Sequence, residues 1–300
     1  MNIKEIFDRK KTVFSFEIFP PKTTSSIETI YNTLDELKGL DPDYISVTYG
    51  AGGSVKNNKT VELSSLVKNK YGVEAVAHLT CISSTKEDIN SYLESLKTNN
   101  IRNILALRGD KPLDGNIVGQ FNYASELIKY IKESNKDFNI AAACYPEGHI
   151  ETKSVIKEVE NMKRKEEVGA SYFISQLFFD NNAYYKFLEE VYKKNIKAPI
   201  EAGIMPVTNK KQIERMVSLS GATLPNKFRK IMDKYEYNKE ALRDAGIAYA
   251  VEQIVDLVST GVDGIHLYVM NNSYLAKKIS GSIETILDIE NKSVQKELQI

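Results

Sequence analysis

Eight short runs of apolar, aromatic and β-branched residues alternate with segments of helical period along the chain, and this alternation restricts the fold more than any other feature. The runs cover Val13–Phe19, Tyr44–Tyr49, Ala75–Cys81, Asn103–Leu107, Ile140–Cys144, Tyr172–Phe179, Ile200–Met205 and Gly264–Met270. Ile27, Ile30, Leu34 and Leu37 recur at helical spacing after the first run, and Ile89, Leu93 and Leu96 after the third. Thr23 to Ser26, Ser84 and Asp180 offer helix caps, and Gly169 stops the charged helix Thr152–Val168. A short helix is expected within 225–237, then helices over Lys239–Thr260 and Tyr274–Ile289. The pattern predicts an eight-stranded β/α (TIM) barrel forming a single domain over 1–300, with 291–300 as a frayed tail. A doubly wound open sheet is the competitor, but its dinucleotide fingerprint G-x-G-x-x-G is missing after the first run, which reads FPPKTTSS.

Acidic and basic residues balance at 40 each, so no overall field points to nucleic acid or a membrane surface. Two cysteines, Cys81 and Cys144, lie in apolar runs without C-x-x-C spacing, which predicts no disulfide framework. The N-terminal MNIKEIFDRKK carries no long apolar stretch. A cytoplasmic protein is expected.

The first run, VFSFEIFPP, holds one carboxylate, Glu17, close to where two prolines must end a strand. In a barrel, strand C-termini converge on the active-site mouth. A carboxyl in apolar surroundings there would have its pKa pushed up and could act as a general acid. The other reading is a carboxylate paired with a cation and serving only packing.

The remaining strand ends bring Thr48, Tyr49, His78, Thr80, Arg108, Asp110, Tyr145, His149, Gln176 and Tyr268 to the same mouth. Each has a plainer reading: His78 as a satisfied core imidazole, Arg108 and Asp110 as a pair across Gly109, Gly50, Gly52 and Gly53 as a mere loop. Gln176 differs, because inside ISQLFF its amide must find partners, and a donor plus acceptor suits a heterocycle edge. Lys163, Arg164 and Lys165 could neutralise a diphosphate or form a solvated helix face. His78, His149 and His266 have no metal-ligand spacing, so no metal is expected, and no G-x-S-x-G nucleophile occurs. The residues themselves lead to proton transfer beside an organic cofactor, with Glu17 and Asp110 as the well-placed carboxylates.

Taken together, SFEIFPP (15–21), SVTYGAGGS (46–54), AHLTC (77–81), ALRGD (106–110), AAACYPEGH (141–149), MKRK (162–165) and SQLFFD (175–180) resemble the methylenetetrahydrofolate reductase family. The resemblance implies an FAD-dependent barrel enzyme that reduces 5,10-methylenetetrahydrofolate to 5-methyltetrahydrofolate. It implies Glu17 as general acid and Asp110 as a residue tuning flavin and folate. Flavin contacts would fall on Thr48, His78, Arg108, Gly109, Asp110, Tyr123, Ala124, Tyr145, His149, Glu158, Asn161, Arg164 and Lys165, and folate contacts on Gln176, Tyr184 and Tyr268. The electron donor would be NADH or NADPH, or a partner subunit that delivers electrons; whether the chain forms a homo-oligomer stays open. Two positions depart from the family pattern: Glu158 in place of aspartate, and Asn272 in place of an arginine expected to help hold the folate.

Overall fold

The computed structural model describes residues 1–21, 27–49, 59–111 and 119–297. The expected caps at Thr23 to Ser26, the glycine loop Gly50 to Ser54 and most of the turn-rich loop after Lys111 lie outside the described residues.

The strands are β1 (Val13–Ile18), β2 (Tyr44–Val47), β3 (Glu74–Thr80), β4 (Asn103–Leu107), β5 (Asn139–Cys144), β6 (Tyr172–Ser175), β7 (Ile200–Ile204) and β8 (Gly264–Tyr268). They pair in sequence order, all parallel, and β8 returns to β1 to close the barrel. The helices are α1 (Ile3–Phe7), α2 (Ile27–Lys38), α3 (Lys59–Ser65), α4 (Lys86–Thr98), α5 (Ala124–Ser134), α6 (Val155–Glu167), α7 (Asn181–Lys193), α8 (Lys210–Ser220), α9 (Asn226–Tyr235), α10 (Lys239–Ser259) and α11 (Ser273–Glu297). The single-domain barrel is therefore the observed architecture, and the open sheet is excluded by the β1–β8 ladder.

Parallel strands covered on both faces read as almost continuous apolar runs, which is why all eight were recognisable. One face packs outward: Phe16, Ile18, Ile45, Val47, Leu79 and Ile104 share a core with Leu34, Leu93 and Ile128 of the surrounding helices. The other points inward. There Val13, Tyr44, Val76, Leu105, Ala141 and Tyr172 pack with Ile3 and Ile6 of α1, an element the sequence reading did not foresee. This five-residue helix plugs the N-terminal end of the barrel, with Ile3 N donating to Asn103 Oδ1 at 3.1 Å.

Several boundaries differ from expectation for local reasons. The sixth strand ends at Ser175, not Phe179, because the Gln176 side-chain Oε1 accepts from Leu177 N at 2.9 Å and turns the chain out of the ladder. Thr85, not Ser84, caps α4, in a reciprocal capping box with Asp88. The closing helix continues beyond Ile289 to Glu297. The expected cap at Asp180 is in place, with Asp180 Oδ1 accepting from Asn182 N at 3.0 Å, and Asn209 caps α8, its Oδ1 accepting from Gln212 N at 3.0 Å. Gly169 follows α6 at φ 116°, in the left-handed region that favours glycine at a helix end.

Candidate active site

At the C-terminal mouth of the barrel two cavities adjoin. The first, about 470 Å³, is lined by Glu17, Thr48, His78, Asp110, Gln176 and Tyr268 among others. The second, about 450 Å³, runs outward between the ends of β4 and β5 and helices α5 and α6, past Tyr123, Ala124, Glu158, Asn161, Arg164 and Lys165. Arg108, Tyr145 and His149 line both. All the residues expected at the mouth, except Tyr184, line one or both of these spaces.

Glu17 is held between two imidazoles. Its Oε2 lies 3.6 Å from His78 Nε2 and 3.6 Å from His266 Nε2, with its side chain 20% exposed towards the cavity. The register explains this placement: Glu17 pairs with Ser46 on β2 and Tyr268 on β8, and its inward-facing neighbours on the strands are the same polar layer. Burial pushes His78 down to about 4, so the ring is neutral near pH 7 and forms no ion pair with Glu17. His78 Nε2 is buried without a hydrogen-bond partner, so the plain reading of a satisfied core histidine fails. An unpartnered buried nitrogen beside a carboxyl at a cavity wall is the mark of a site built for something further.

Arg108 does not pair with Asp110 across Gly109. Its guanidinium grips Glu151 in a two-pronged contact, Nη1 to Oε2 at 2.9 Å and Nη2 to Oε1 at 3.1 Å. Hydrogen bonds from Arg108 and Lys111 hold the Glu151 carboxyl down to about 2. Glu151 was not singled out in the sequence, where nothing in GHIETK marks it as a partner of a residue 43 positions away. Gly109 takes φ 85°, and a Cβ there would stand 3.0 Å from Thr80 Cβ, so the backbone reaches the cavity wall where a side chain would crowd.

On α6 the basic run divides. Lys163 bonds Glu166 at 2.7 Å and the Asn195 carbonyl, away from the cavity. Arg164 and Lys165 line the second cavity; Lys165 Nζ donates to Ala143 O at 2.7 Å and lies 3.5 Å from Glu158 Oε1. Burial raises the Glu158 pKa, with Lys165 opposing that rise. Tyr268 OH donates to Ser175 O at 2.7 Å, an approach that requires Gly203, since a Cβ there would lie 2.8 Å from the Tyr268 ring.

Tyr184 is a correction. It is fully buried, stacks on Phe178 with centroids 4.8 Å apart, and its OH reaches Ile200 O at 3.4 Å in the layer between α7 and the sheet. A residue three positions into an amphipathic helix turns to the sheet, not to the mouth. Asn272 also has a local occupation: its Oδ1 accepts from Leu275 N at 3.3 Å and its carbonyl from Ala276 N at 3.3 Å at the start of α11. It lines a separate cavity of about 330 Å³ with Phe19, Met205, Met216 and Met270. Among the described residues no three His, Cys, Asp or Glu side chains cluster as metal ligands, and no helix is long and apolar enough to cross a membrane.

The sequence reading missed the layer beneath Glu17. Ser15, Glu201 and His266 are all fully buried inside the barrel. Only the inward phase of their strands marks them, and period alone does not tell the inside of a barrel from its outside.

A closed β/α barrel with a titratable, cation-lined mouth defines a barrel enzyme whose chemistry sits at the strand C-termini. The model of the family described as methylenetetrahydrofolate reductase matches residues 2–284. The 5,10-methylenetetrahydrofolate reductase of Pectobacterium carotovorum is 34% identical over 92% of this chain and 91% of its own length. That of Escherichia coli K12 is 35% identical over 88% of each. Methylenetetrahydrofolate reductase (NADH) 1 of Arabidopsis thaliana is 33% identical over 90% of this chain, which spans 48% of that longer protein. A solved structure from Clostridium thermocellum, described as binding two copies of 5-methyl-5,6,7,8-tetrahydrofolic acid, superposes with a TM-score of 0.71 over 96% of this chain and 100% of its own, at 16% identity. The chain belongs to the methylenetetrahydrofolate reductase family, a family of oxidoreductases.

Proposed function

We propose that the protein reduces 5,10-methylenetetrahydrofolate to 5-methyltetrahydrofolate with FAD as cofactor, Glu17 acting as general acid. The observation that carries this reading is the position of Glu17: a carboxyl at the end of β1, facing the cavity, backed by two imidazoles, one of them neutral and unpartnered.

The lining fits FAD. The second cavity offers Arg108, Arg164 and Lys165 to a diphosphate, with Tyr123, Ala124, Tyr145, His149, Glu158 and Asn161 around them. Thr48, His78, Gly109 and Asp110 of the first cavity would hold the ring system, and the orphaned His78 Nε2 gives a hydrogen-bonding position on that wall. Bound FAD would supply the hydride for the methylene carbon, having taken it from NADH or NADPH.

The chain's own residues handle the proton and the pose. Gln176 and Tyr268 line the Glu17 cavity and would orient the folate. Glu17 passes its proton to a ring nitrogen of the imidazolidine, so that a neutral amine leaves and the ring opens to an iminium. Without protonation that nitrogen is a poor leaving group, and general acid help is typically worth about a hundredfold to ten-thousandfold.

The direct test is to purify the protein, record its absorption spectrum and ask whether NADH or NADPH bleaches a flavin band that methylenetetrahydrofolate then restores. A colourless protein, or a flavin that folate does not reoxidise, would overturn the reading.

A further inference from the structure

A barrel interior is ordinarily filled by branched apolar side chains. Here its middle holds an ionisable residue at full burial: Glu201 of β7 is 0% exposed. Room for it is made by Gly264 on the adjoining strand, where a Cβ would come within 2.7 Å of Glu201 Cγ. Burying a carboxyl is costly unless it is well bonded, and this one is. Ser15 Oγ lies 3.0 Å from Glu201 Oε1, and Tyr44 OH donates to Oε2.

The bonding continues upward. Ser15 Oγ lies 2.7 Å from His266 Nδ1, and the other ring nitrogen, Nε2, lies 3.6 Å from Glu17 Oε2, with Ser46 Oγ 3.4 Å away. The chain Glu201, Ser15, His266, Glu17 thus runs from the barrel interior to the cavity, and each inner link is a group that both gives and takes a proton. Two complete hydrogen patterns fit it. In one, Glu201 is the acid, donating to Ser15, which donates to His266 Nδ1, while Nε2–H faces an ionised Glu17. In the other, Glu17 is the acid, its proton facing His266 Nε2 across the 3.6 Å gap, and Nδ1–H and the serine hydroxyl point down to an ionised Glu201.

We infer that Glu201, linked through Ser15 and His266, is a proton store that recharges Glu17 from inside the barrel when bound molecules cover the mouth. The inference rests on Glu17 being the proton donor proposed above. The transfer balances without any other reactant. Glu201 gives its proton to Ser15 Oγ as the serine proton moves to His266 Nδ1 and the Nε2 proton moves to Glu17 Oε2. An acid below and a carboxylate above become a carboxylate below and an acid above. The store refills by the reverse path once the mouth opens. Glu201 and His266 are positioning residues here, acting through Glu17.

The groups facing Glu201 suit the role. Besides Ser15 of β1 and His266 of β8, they are Tyr44 of β2 and Tyr172 of β6, with Asp43, Tyr184 of α7 and Tyr268 of β8 also felt electrostatically. Burial, which outweighs the opposing effects of His266, Tyr44 and Ser15, lifts Glu201 to about 7, so its proton is exchangeable at neutral pH.

The test uses the flavin-loaded protein, reduced anaerobically and mixed with methylenetetrahydrofolate across a pH series, with flavin reoxidation followed by absorbance. Glu201→Gln and Ser15→Ala are expected to slow reoxidation by about tenfold near pH 7, within what general acid help is typically worth, and to approach the parent rate both as the pH falls and solvent protonates Glu17 directly and as the pH rises and the store in the parent empties. Reduction by the donor should be unchanged. Independently of turnover, the infrared spectrum of the parent protein should show a carboxylic acid C=O band that titrates near neutral pH and vanishes in Glu201→Gln. Parent-like pH profiles in both variants, a loss equal at every pH, or no such band would overturn the proton store. The Glu17 reading fails separately: if Glu17→Gln still reoxidises its flavin with folate at the parent rate, the donor itself is wrongly assigned.

Discussion

Gly264 and Glu201 sit side by side on β8 and β7, and the glycine's missing Cβ is the space that the carboxylate's Cγ occupies, 2.7 Å from where that carbon would be. Gly264→Ala should therefore destabilise the protein by about 1–3 kcal/mol, the usual cost of overpacking a filled core. The backbone needs no unusual φ there, so the loss should be recovered in part by Glu201→Ala in the same chain. Chemical denaturation of the single and double variants checks it, and strictly additive effects would contradict the contact.

Glu17→Gln keeps the size and loses the acid. The flavin should remain bound and be reduced by its donor at the parent rate, while folate-driven reoxidation falls by about a hundredfold or more. Rapid-mixing absorbance separates the two half-reactions, and an equal fall in both would remove Glu17 from the donor role.

Asp110 lines the same cavity as Glu17 and Gly109. Asp110→Asn removes a negative charge from the proposed ring site and should raise the flavin midpoint potential, by on the order of 30 mV for each ~1.4 kcal/mol of lost repulsion in a two-electron couple. A redox titration against reference dyes measures it; an unmoved potential would place Asp110 away from the ring.

Two buried groups give the stability opposite slopes with pH. His78 is held down to about 4 from an ordinary 6.5, so the unfolded chain binds its proton first and stability falls as pH drops from about 6.5 to about 4. Glu201 is lifted to about 7 from 4.5, so the folded chain holds the extra proton and stability falls as pH rises from about 4.5 through about 7. Each shift corresponds to on the order of 3 kcal/mol. His78→Asn should expose the falling limb and Glu201→Gln the rising one when denaturation midpoints are measured from pH 4 to 8; identical pH dependence in all three proteins would refute both.

Asn272 offers a direct comparison of cap and cation. Asn272→Ala should cost about 1 kcal/mol through loss of the hydrogen bond to Leu275 N. Asn272→Arg should lose the cap to a similar extent and lower the KM for a polyglutamylated folate if the adjoining cavity receives the substrate's anionic tail. A KM unchanged by the arginine would separate that cavity from the folate.

The barrel was legible because buried parallel strands print themselves as apolar runs, and the mouth because a set of polar residues breaks those runs at their C-terminal ends. Glu17, His78, Arg108 and Gln176 each interrupt an otherwise apolar segment, and all four line the cavity. What stayed hidden depends on facing across the barrel. Ser15, Glu201 and His266 come from strands far apart in sequence, and alternation along one strand does not say which other strands its inward side chains meet. The actual Arg108 partner stayed hidden for the same reason: the pair with Asp110, open as the plainer reading, is near in sequence, whereas Glu151 comes from the loop after β5. Tyr184 was drawn to the mouth by a motif neighbour, SQLFFD, although the helix phase after Asp180 turns it to the sheet.

Asn271 clasps the backbone of Phe19 from both sides, accepting from its N–H at 3.0 Å and donating to its carbonyl at 2.9 Å. This seam ties the exit of the opening strand to the exit of the final one, across 252 positions of chain. A ribosome must therefore have released nearly the whole polypeptide before the carboxyl two residues upstream acquires its fixed setting. Truncated translation products should carry secondary structure and apolar surface but no competent acid, which would keep half-made copies chemically silent.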